Sequence, residues 1–313
     1  MNRQLPFLKA LCWQMSDIEG LTPAEILQTY ERGWRYLGVL PQPNQEEWQF
    51  IRQLSDEYRS WLQTDLELRS LAIVKHQWHD SILLILQSLN RDFLRETGIC
   101  FGGGTLISLM CDEHRLSQDI DFLTTSSGYR QLRRAIADDS YGAIFSETSQ
   151  LKFPRLIQAD GYGIRFPIEV EQHTIKFEII AESRIELDSP SYPDWSPVPC
   201  LSLVDCWVEK LLANADRWSD EGTRARDLID LSVLRLATSL LSTAVSKAET
   251  AYGVISPLTK AVVKFQASSD WRYQCYQSLA IDKPSKIIDG VDLLAEDLGL
   301  LPTIRIFSEL STF

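Results

Sequence analysis

One short stretch constrains the fold more than any other part of the chain: the segment GGGTLISLMCDEHRLSQDIDFL, from Gly102 to Leu123. Side chains at positions i and i+2 of a strand point to one face, so Asp119 and Asp121 are expected to project together from a strand that buries Ile120. Two carboxylates on one face repel unless a cation compensates them, and Mg²⁺ (or Mn²⁺) takes oxygen ligands. The pattern therefore predicts a metal site. Two solvated aspartates on an exposed strand are the alternative.

The glycines of the same stretch predict a phosphate contact. A strand that runs through a glycine turn into a helix directs the first N–H groups of the helix at a ligand, which favours phosphate oxygens. Glycine also lets the backbone come close to that ligand. Gly103, Gly104 and Thr105 are therefore expected to lie close to phosphate oxygens of a ligand, with Thr105 donating its hydroxyl or capping the helix. A tight turn packed against a helix is the alternative.

A metal pair for phosphoryl chemistry usually includes a third carboxylate. The alternating stretch TIKFEIIAE offers Glu178, between Phe177 and Ile179. If the faces of the sheet match, Glu178 joins Asp119 and Asp121. An exposed glutamate paired with Lys176 is the alternative.

The hydrophobic patterning predicts an α+β fold, because strands and helices are segregated along the chain. Residues 1–95 have helical spacing and form an N-terminal extension, in which Thr22 is expected to cap a helix that starts at Pro23. Residues 96–198 form a small mixed α/β core, in which the stretches QLKFPRLIQA, YGIRFPIEVE and TIKFEIIAES predict an antiparallel meander. Residues 199–313 form a helical C-terminal domain that completes the site.

The bulk properties predict a soluble, cytoplasmic protein. No apolar run is long enough to cross a membrane, and the N-terminus lacks the pattern of a secretory signal. The six cysteines are scattered without metal-ligand spacing, so we expect reduced core thiols and no structural zinc. Trp195, Trp207 and Trp218 are expected in the core or an interface, and His114 in a loop.

The net charge of −12 argues against a protein coated in nucleic acid, but it leaves room for a local basic groove. A cluster of basic residues lies beside the predicted core. The sequence leaves open whether this cluster forms an RNA-facing groove or carries ordinary solvated charge. Its members are Arg130, Arg133, Arg134, Lys152, Arg155, Arg165 and Lys176.

Residues 95–240 resemble the nucleotidyltransferase superfamily, in particular the AbiEii/AbiGii-type (MenT-like) toxin branch. The pattern of that branch is GG[TS], a helix and then RxSxDIDF, which Gly103–Thr105 and Arg115–Phe122 match. A lysine on a downstream helix and an RDxxDL helix follow in the family. Here VEKLLANADRW supplies Lys210, and RARDLIDL supplies Arg226, Asp227 and Asp230. The N-terminal helical extension is a departure from the family pattern.

The resemblance implies a Mg²⁺-dependent enzyme that transfers a nucleoside monophosphate (NMP) from an NTP to an acceptor and releases pyrophosphate. Asp119, Asp121 and Glu178 would form the metal site. Lys210 would contact a phosphate, although a surface lysine is its alternative. Arg115 and Ser117 would support the nucleotide, and for Arg115 a carboxylate partner or a phosphate contact are equally open. Asp227 would face the site, with Arg226 and Asp230 in support; surface ion pairs are the alternative.

The resemblance also suggests an RNA acceptor, the tRNA 3′ end, and a cognate antitoxin. A second hypothesis is NMP transfer to a protein hydroxyl. A third is an inactive nucleotide- or partner-binding module, against which the intact metal motif argues. A DxD glycosyltransferase would need a larger α/β nucleotide-sugar domain before the motif, where this chain has helices.

Overall fold

The N-terminal helices begin where the sequence provides their caps. The Thr22 side chain accepts a hydrogen bond from the Glu25 N–H, the Glu25 carboxylate accepts one from the Thr22 N–H, and Pro23 is the first helical residue, as predicted. The computed structural model describes residues 5–15, 18, 20–37 and 40–310, without the side chains of residues 45, 67–74 and 307. The chain forms two compact units, Met1–Ser70 and Leu71–Phe313.

The first unit is helical. A buried carboxylate organises it: Glu47 accepts hydrogen bonds from the N–H groups of Phe7 and Leu8, at 2.9 and 2.7 Å, and from the Tyr30 hydroxyl at 2.8 Å. Glu47 thereby satisfies two backbone donors in the first turn of the first helix, which has no side-chain cap of its own. The helices up to the unit boundary are α1 (Pro6–Leu11), α2 (Pro23–Gly33), α3 (Gln45–Glu57) and α4 (Leu62–Gln87), which crosses the boundary.

The second unit is built on a five-stranded mixed sheet in the order β1-β2-β5-β4-β3. β2 and β5 are parallel, and the other pairs are antiparallel. Helices precede and follow the sheet, which confirms the predicted α+β class. The strands are β1 (Cys100–Gly102), β2 (Asp119–Thr124), β3 (Gln158–Ala159), β4 (Gly163–Val170) and β5 (His173–Ala181).

One face of the sheet is apolar because alternate residues of β2, β4 and β5 are buried, as is all of the short strand β1. Phe101, Phe122, Phe177 and Phe166 form a row of contacting rings across four strands, with centroids 5.0 to 5.5 Å apart. Aromatic pairs across neighbouring strands stabilise a sheet beyond the area they bury. The opposite face of β2, β5 and β4 therefore carries the polar residues of these strands.

The meander differs from its prediction at one point. β3, β4 and β5 are antiparallel as expected, but only the last two residues of QLKFPRLIQA pair as a strand. Lys152 makes an isolated bridge with Glu169. Pro154 follows two residues later and lacks the N–H that a ladder requires, which interrupts the pairing.

Helices cover the sheet and form the C-terminal part. Trp207 is fully buried among them, in agreement with its expected core position. Every helix within the described residues is too short or too polar to cross a membrane. The helices of this unit after α4 are α5 (Arg91–Glu96), α6 (Gly103–Met110), α7 (Ser126–Asp139), α8 (Leu203–Arg217), α9 (Arg226–Ala237), α10 (Leu241–Ala248), α11 (Ile255–Ala267), α12 (Ser269–Ser278) and α13 (Pro284–Asp297).

Candidate active site

The two aspartates of β2 stand side by side on the polar face of the sheet. Ile120 and Phe122 alternate with them and are fully buried on the other face, whereas Asp119 and Asp121 are half-buried. Burial and the Asp119 carboxylate raise the pKa of Asp121 to about 6, and the Lys210 ammonium partly opposes this effect. The structure thus places two carboxylates where their charges repel.

The glycine turn lies directly against Asp121. Gly102 is the register partner of Asp121, and Gly103 has φ +69°. A Cβ atom on Gly103 would lie 2.4 Å from Oδ2 of Asp121, and one on Gly104 would lie 2.0 Å from the Arg115 guanidinium. Both glycines are therefore required by close packing, in addition to the unusual backbone conformation of Gly103.

Helix α6 starts at this turn without a capping side chain in the described part of the chain. Its first N–H groups are thus suited to an anion. The Thr105 hydroxyl, in contrast, is buried: Oγ1 lies 2.5 Å from the carbonyl oxygen of Asp119 and 2.8 Å from Oγ of Ser117. Thr105 and Ser117 therefore fasten α6 to the start of β2, and the phosphate contacts predicted for both stay a prediction.

Glu178 lies next to Asp121 in the sheet. The register of the parallel pair β2 and β5 matches Asp121 with Glu178, which puts both side chains on the polar face. The carboxylate of Glu178 forms ion pairs with Nε of Arg165, at 3.3 Å, and with Lys176. The structure therefore combines the two alternatives, since Glu178 is both beside the aspartates and paired with Lys176.

The donor set fits a divalent cation in part. Asp119 and Asp121 are adjacent oxygen donors on one face, so a positive charge between them would relieve the repulsion that, together with burial, raises the pKa of Asp121. Across the described residues, however, no group of three His, Cys, Asp or Glu side chains is arranged to hold a metal. Glu178 is held by its two cations, so its membership of a metal site stays a prediction.

Two helices bring a second charged group against the glycine turn, since α6 packs on α8 and α9. Lys210 of α8 is buried, and its Nζ lies 2.7 Å from Oδ2 of Asp230 and 3.2 Å from Oδ1 of Asp227. Arg217 binds Asp227 with Nε and Nη2, at 2.7 and 2.9 Å. Burial opposes the ionisation of Asp227, but the two cations outweigh it and lower its pKa.

Asp230 is the centre of this group. It is fully buried and accepts hydrogen bonds from Nε and Nη2 of Arg115, at 2.6 and 2.8 Å, and contacts Nε2 of His114 at 3.0 Å. Burial disfavours its charge, yet Arg115 and Lys210 hold its pKa well below the ordinary value. Of the two possibilities for Arg115, the structure shows the carboxylate partner. Burial lowers the pKa of His114 to about 4.

A neutral histidine supports the loop before β2. The backbone N–H of Ser117 donates to Nε2 of His79 at 3.2 Å, so Nδ1 carries the proton and donates to Glu113 at 2.8 Å. Burial lowers the pKa of His79, which keeps it neutral. His79 thereby fixes the backbone immediately ahead of Asp119.

The structure brings most of the predicted residues together. Asp121 adjoins Gly103 and Glu178, and Lys210 with Asp227 and Asp230 adjoins Gly104 and Arg115. Arg226 is half-buried at the start of α9. The sequence interpretation missed Arg217, His79 and Glu113. His114 lies in the loop before β2, as predicted, but its burial against Asp230 was not predicted. Arg217 follows Lys210 by seven residues, two helical turns, and that spacing could have revealed it.

The glycine turn, the paired aspartates and the lysine and aspartates from two helices are the features that the sequence resemblance associates with a nucleotidyltransferase. Residues 84–265 match the family model described as "Nucleotidyl transferase AbiEii toxin, Type IV TA system". Since this match spans more than half of the chain, the protein belongs to that family of nucleotidyltransferase toxins.

Other comparisons add little to this assignment. No curated protein matches the chain. A putative nucleotidyltransferase from H. pylori is similar in structure, with a TM-score of 0.39 and 17% identity over 71% of this chain and 95% of that one. An antigenic nucleotidyltransferase-like protein from Paracoccidioides brasiliensis has a TM-score of 0.28 and 11% identity, over 73% and 95% of the two chains. Both similarities are too weak to bear on function.

Proposed function

We propose that this protein transfers an NMP from a Mg²⁺-bound NTP to the 3′ end of an RNA, with tRNA as the acceptor that the family suggests. It would act in the cytoplasm as a toxin that a cognate antitoxin restrains. One observation carries the proposal: Asp121 lies between the glycine turn on one side and Glu178 on the other. The residues proposed for the phosphate contact, the metal site and the proton acceptor are thereby adjacent.

Each residue has a distinct part in this proposal. Asp119 and Asp121 would hold Mg²⁺, which would neutralise triphosphate charge and orient the reacting phosphate. The first N–H groups of α6, at Gly103 and Gly104, donate to phosphate oxygens. Lys210, which already influences Asp121, adds a compact positive charge on the side of α8.

The chemical step is an in-line displacement at the α-phosphorus of the NTP. The acceptor hydroxyl oxygen forms a bond to this phosphorus, and the bond to the pyrophosphate oxygen breaks. Glu178 would take the hydroxyl proton once its carboxylate is free of Lys176 and Arg165. If Glu178 instead completes the metal site, the proton passes to solvent water. Asp227 and Asp230 do not take part in the exchange of bonds; they hold Lys210 and Arg115 in place.

Label transfer tests this function directly. The full-length protein is incubated with each α-³²P-labelled NTP, Mg²⁺ and either total tRNA or a cell lysate, next to Asp121→Asn and to the exposed control Asp138→Asn. We expect label in tRNA with the wild type and the control, and none with Asp121→Asn or in EDTA. Label in protein alone would establish a protein hydroxyl as the acceptor. No transfer under any condition, with NTP binding intact, would refute the enzymatic proposal.

A growth assay tests the role as a toxin. Induced expression of the wild type in bacteria should arrest growth, whereas Asp121→Asn at equal protein level should not. Equal arrest by both would show that toxicity does not depend on the proposed chemistry.

A further inference from the structure

The polar face of the sheet continues beyond Glu178 into a groove. The cavity has a volume of about 460 Å³ and lies over β4, β5 and the segment that leads to β3. We call it the basic groove, after three of the residues that line it: Arg155, Arg165 and Lys176. All three belong to the basic cluster that the sequence left open between an RNA surface and solvated charge.

The strand register connects the basic groove to the two aspartates. Asp121 is paired with Glu178 across β2 and β5, and Glu178 with Arg165 across β5 and β4. Lys176 is paired with Asp119 and, on its other side, with Pro167. Paired residues of neighbouring strands share a face, so the groove and the aspartates lie on one continuous surface.

The charge of the groove is opposite to that of the chain as a whole. Three cations line it against one carboxylate, Glu169, in a protein of net charge −12. Two of them are also ion-paired at its edge, Arg165 with Asp160 and Glu178, and Lys176 with Glu178, whereas Arg155 forms no ion pair within the described residues. The side chains of Arg165 and Lys176 are 42% and 53% exposed, and Arg155 is exposed as well. Leu156, 83% exposed, adds an apolar side chain at the same place. Exposed guanidinium groups beside an apolar contact suit a chain of phosphates and bases.

The direction of the reaction decides which substrate reaches this groove. The glycine turn follows β1, on one side of β2, whereas the groove lies on the other side, over β5 and β4. If the turn holds the leaving pyrophosphate, an in-line attack brings the acceptor oxygen from the opposite side. The acceptor therefore approaches Asp121 across Glu178.

We propose that the basic groove binds the phosphate backbone of a nucleic-acid acceptor, next to its reactive 3′ hydroxyl. This inference rests on the proposed function, which provides the direction of attack. Arg155 is the most informative residue, because it lines the groove without contacting any of the proposed catalytic residues in the described part of the chain. Arg165 and Lys176 also form ion pairs with Glu178, so their substitution would disturb both the groove and this proposed catalytic residue.

RNA binding measured without chemistry tests the proposal. The probe is a fluorescein-labelled RNA hairpin with a single-stranded 3′ end, titrated with the full-length protein in EDTA at several NaCl concentrations and followed by anisotropy. Arg155→Glu is compared with Arg155→Lys and with Arg52→Glu, a matched charge reversal on an exposed residue of α3. Binding of each labelled NTP in Mg²⁺, together with circular dichroism, verifies that the variants are folded.

We expect Arg155→Glu to weaken RNA binding about fivefold or more and to reduce the slope of log K against log[salt] by about one. Arg155→Lys should retain most of the affinity, and Arg52→Glu should match the wild type. Equal affinity and salt slope for Arg155→Glu and the wild type would overturn the proposal, and so would an equal loss in Arg52→Glu. A selective loss in Arg155→Glu supports the groove even if label transfer to RNA fails, which separates the two hypotheses.

Discussion

Substitution of Asp121 by Asn measures what the paired carboxylates cost the fold when no cation is bound. Burial and Asp119 raise the pKa of Asp121 from 3.8 to about 6. A shift of that size corresponds to a cost of about 3 kcal/mol for ionising the carboxyl group in the folded protein. Asn has nearly the same shape and no charge, so Asp121→Asn should stabilise the metal-free protein at neutral pH by up to this amount.

The pH dependence gives the sign of the effect. Because the pKa of Asp121 is higher in the folded than in the unfolded protein, the folded state keeps the proton longer. The carboxyl group therefore lowers the free energy of unfolding progressively as pH rises from about 3.8 to about 6. The advantage of Asp121→Asn should be absent below this window and complete above it.

Urea denaturation in EDTA, followed by circular dichroism between pH 4 and pH 8, is the appropriate assay. Asp138→Asn, at an exposed position of α7, is the matched control and should change stability by less than about 0.5 kcal/mol. Added Mg²⁺ should stabilise the wild type but not Asp121→Asn, because a ligand that binds only the folded state stabilises it. A stability difference that is independent of pH, or a destabilising Asp121→Asn at pH 7, would refute the argument.

Three further substitutions test the surrounding structure. Asp230→Asn removes the shared partner of two buried cations, so it should lower the free energy of unfolding by about 3 to 5 kcal/mol in urea denaturation. Gly103→Ala should lower the free energy of unfolding more than Gly98→Ala does. Both glycines have a positive φ, but only at Gly103 would the added Cβ lie against a carboxylate. The same urea assay compares the two variants, and equal losses of stability would contradict the predicted clash. His114→Gln should lessen the loss of stability between pH 6.5 and pH 4, because burial lowers the pKa of His114 to about 4 and the unfolded state takes up the proton first. An unchanged acid profile of this variant would contradict the last expectation.

Features that depend on neighbours in the sequence were predictable. The cap at Thr22, the alternation of β2 and the need for glycine at the turn follow from local spacing, and the structure has all three. The face of Glu178 also follows from alternation. Its position beside Asp121 does not, because it depends on the register between β2 and β5, which are separated by α7 and β4.

Contacts between distant parts of the chain could not be predicted. Arg115 and Asp230 meet across 115 residues, and the spacing around either gives no sign of the partner. The buried His114 contacts the same carboxylate. The sequence offered a helix cap or a ligand contact for the hydroxyl of Thr105, and it gave no sign of the contact that this hydroxyl makes with the backbone of Asp119. In each case the three-dimensional packing of α6, α8 and α9 decides which group a side chain meets.

The cations near the site are already paired with carboxylates, and this has a consequence for nucleotide binding. Lys210 and Arg115 bind Asp230, Arg217 binds Asp227, and Lys176 binds Glu178. These carboxylates offset part of the positive charge that Lys210 and the other cations offer to a triphosphate, which also has to approach Asp119 and Asp121. A divalent cation is the remaining means of balance. We expect equilibrium dialysis to show NTP binding in Mg²⁺ and a loss of at least about tenfold in EDTA, roughly 1.4 kcal/mol, whereas Arg217→Lys should weaken binding less. Equally tight NTP binding with and without Mg²⁺ would show that the protein's own cations suffice.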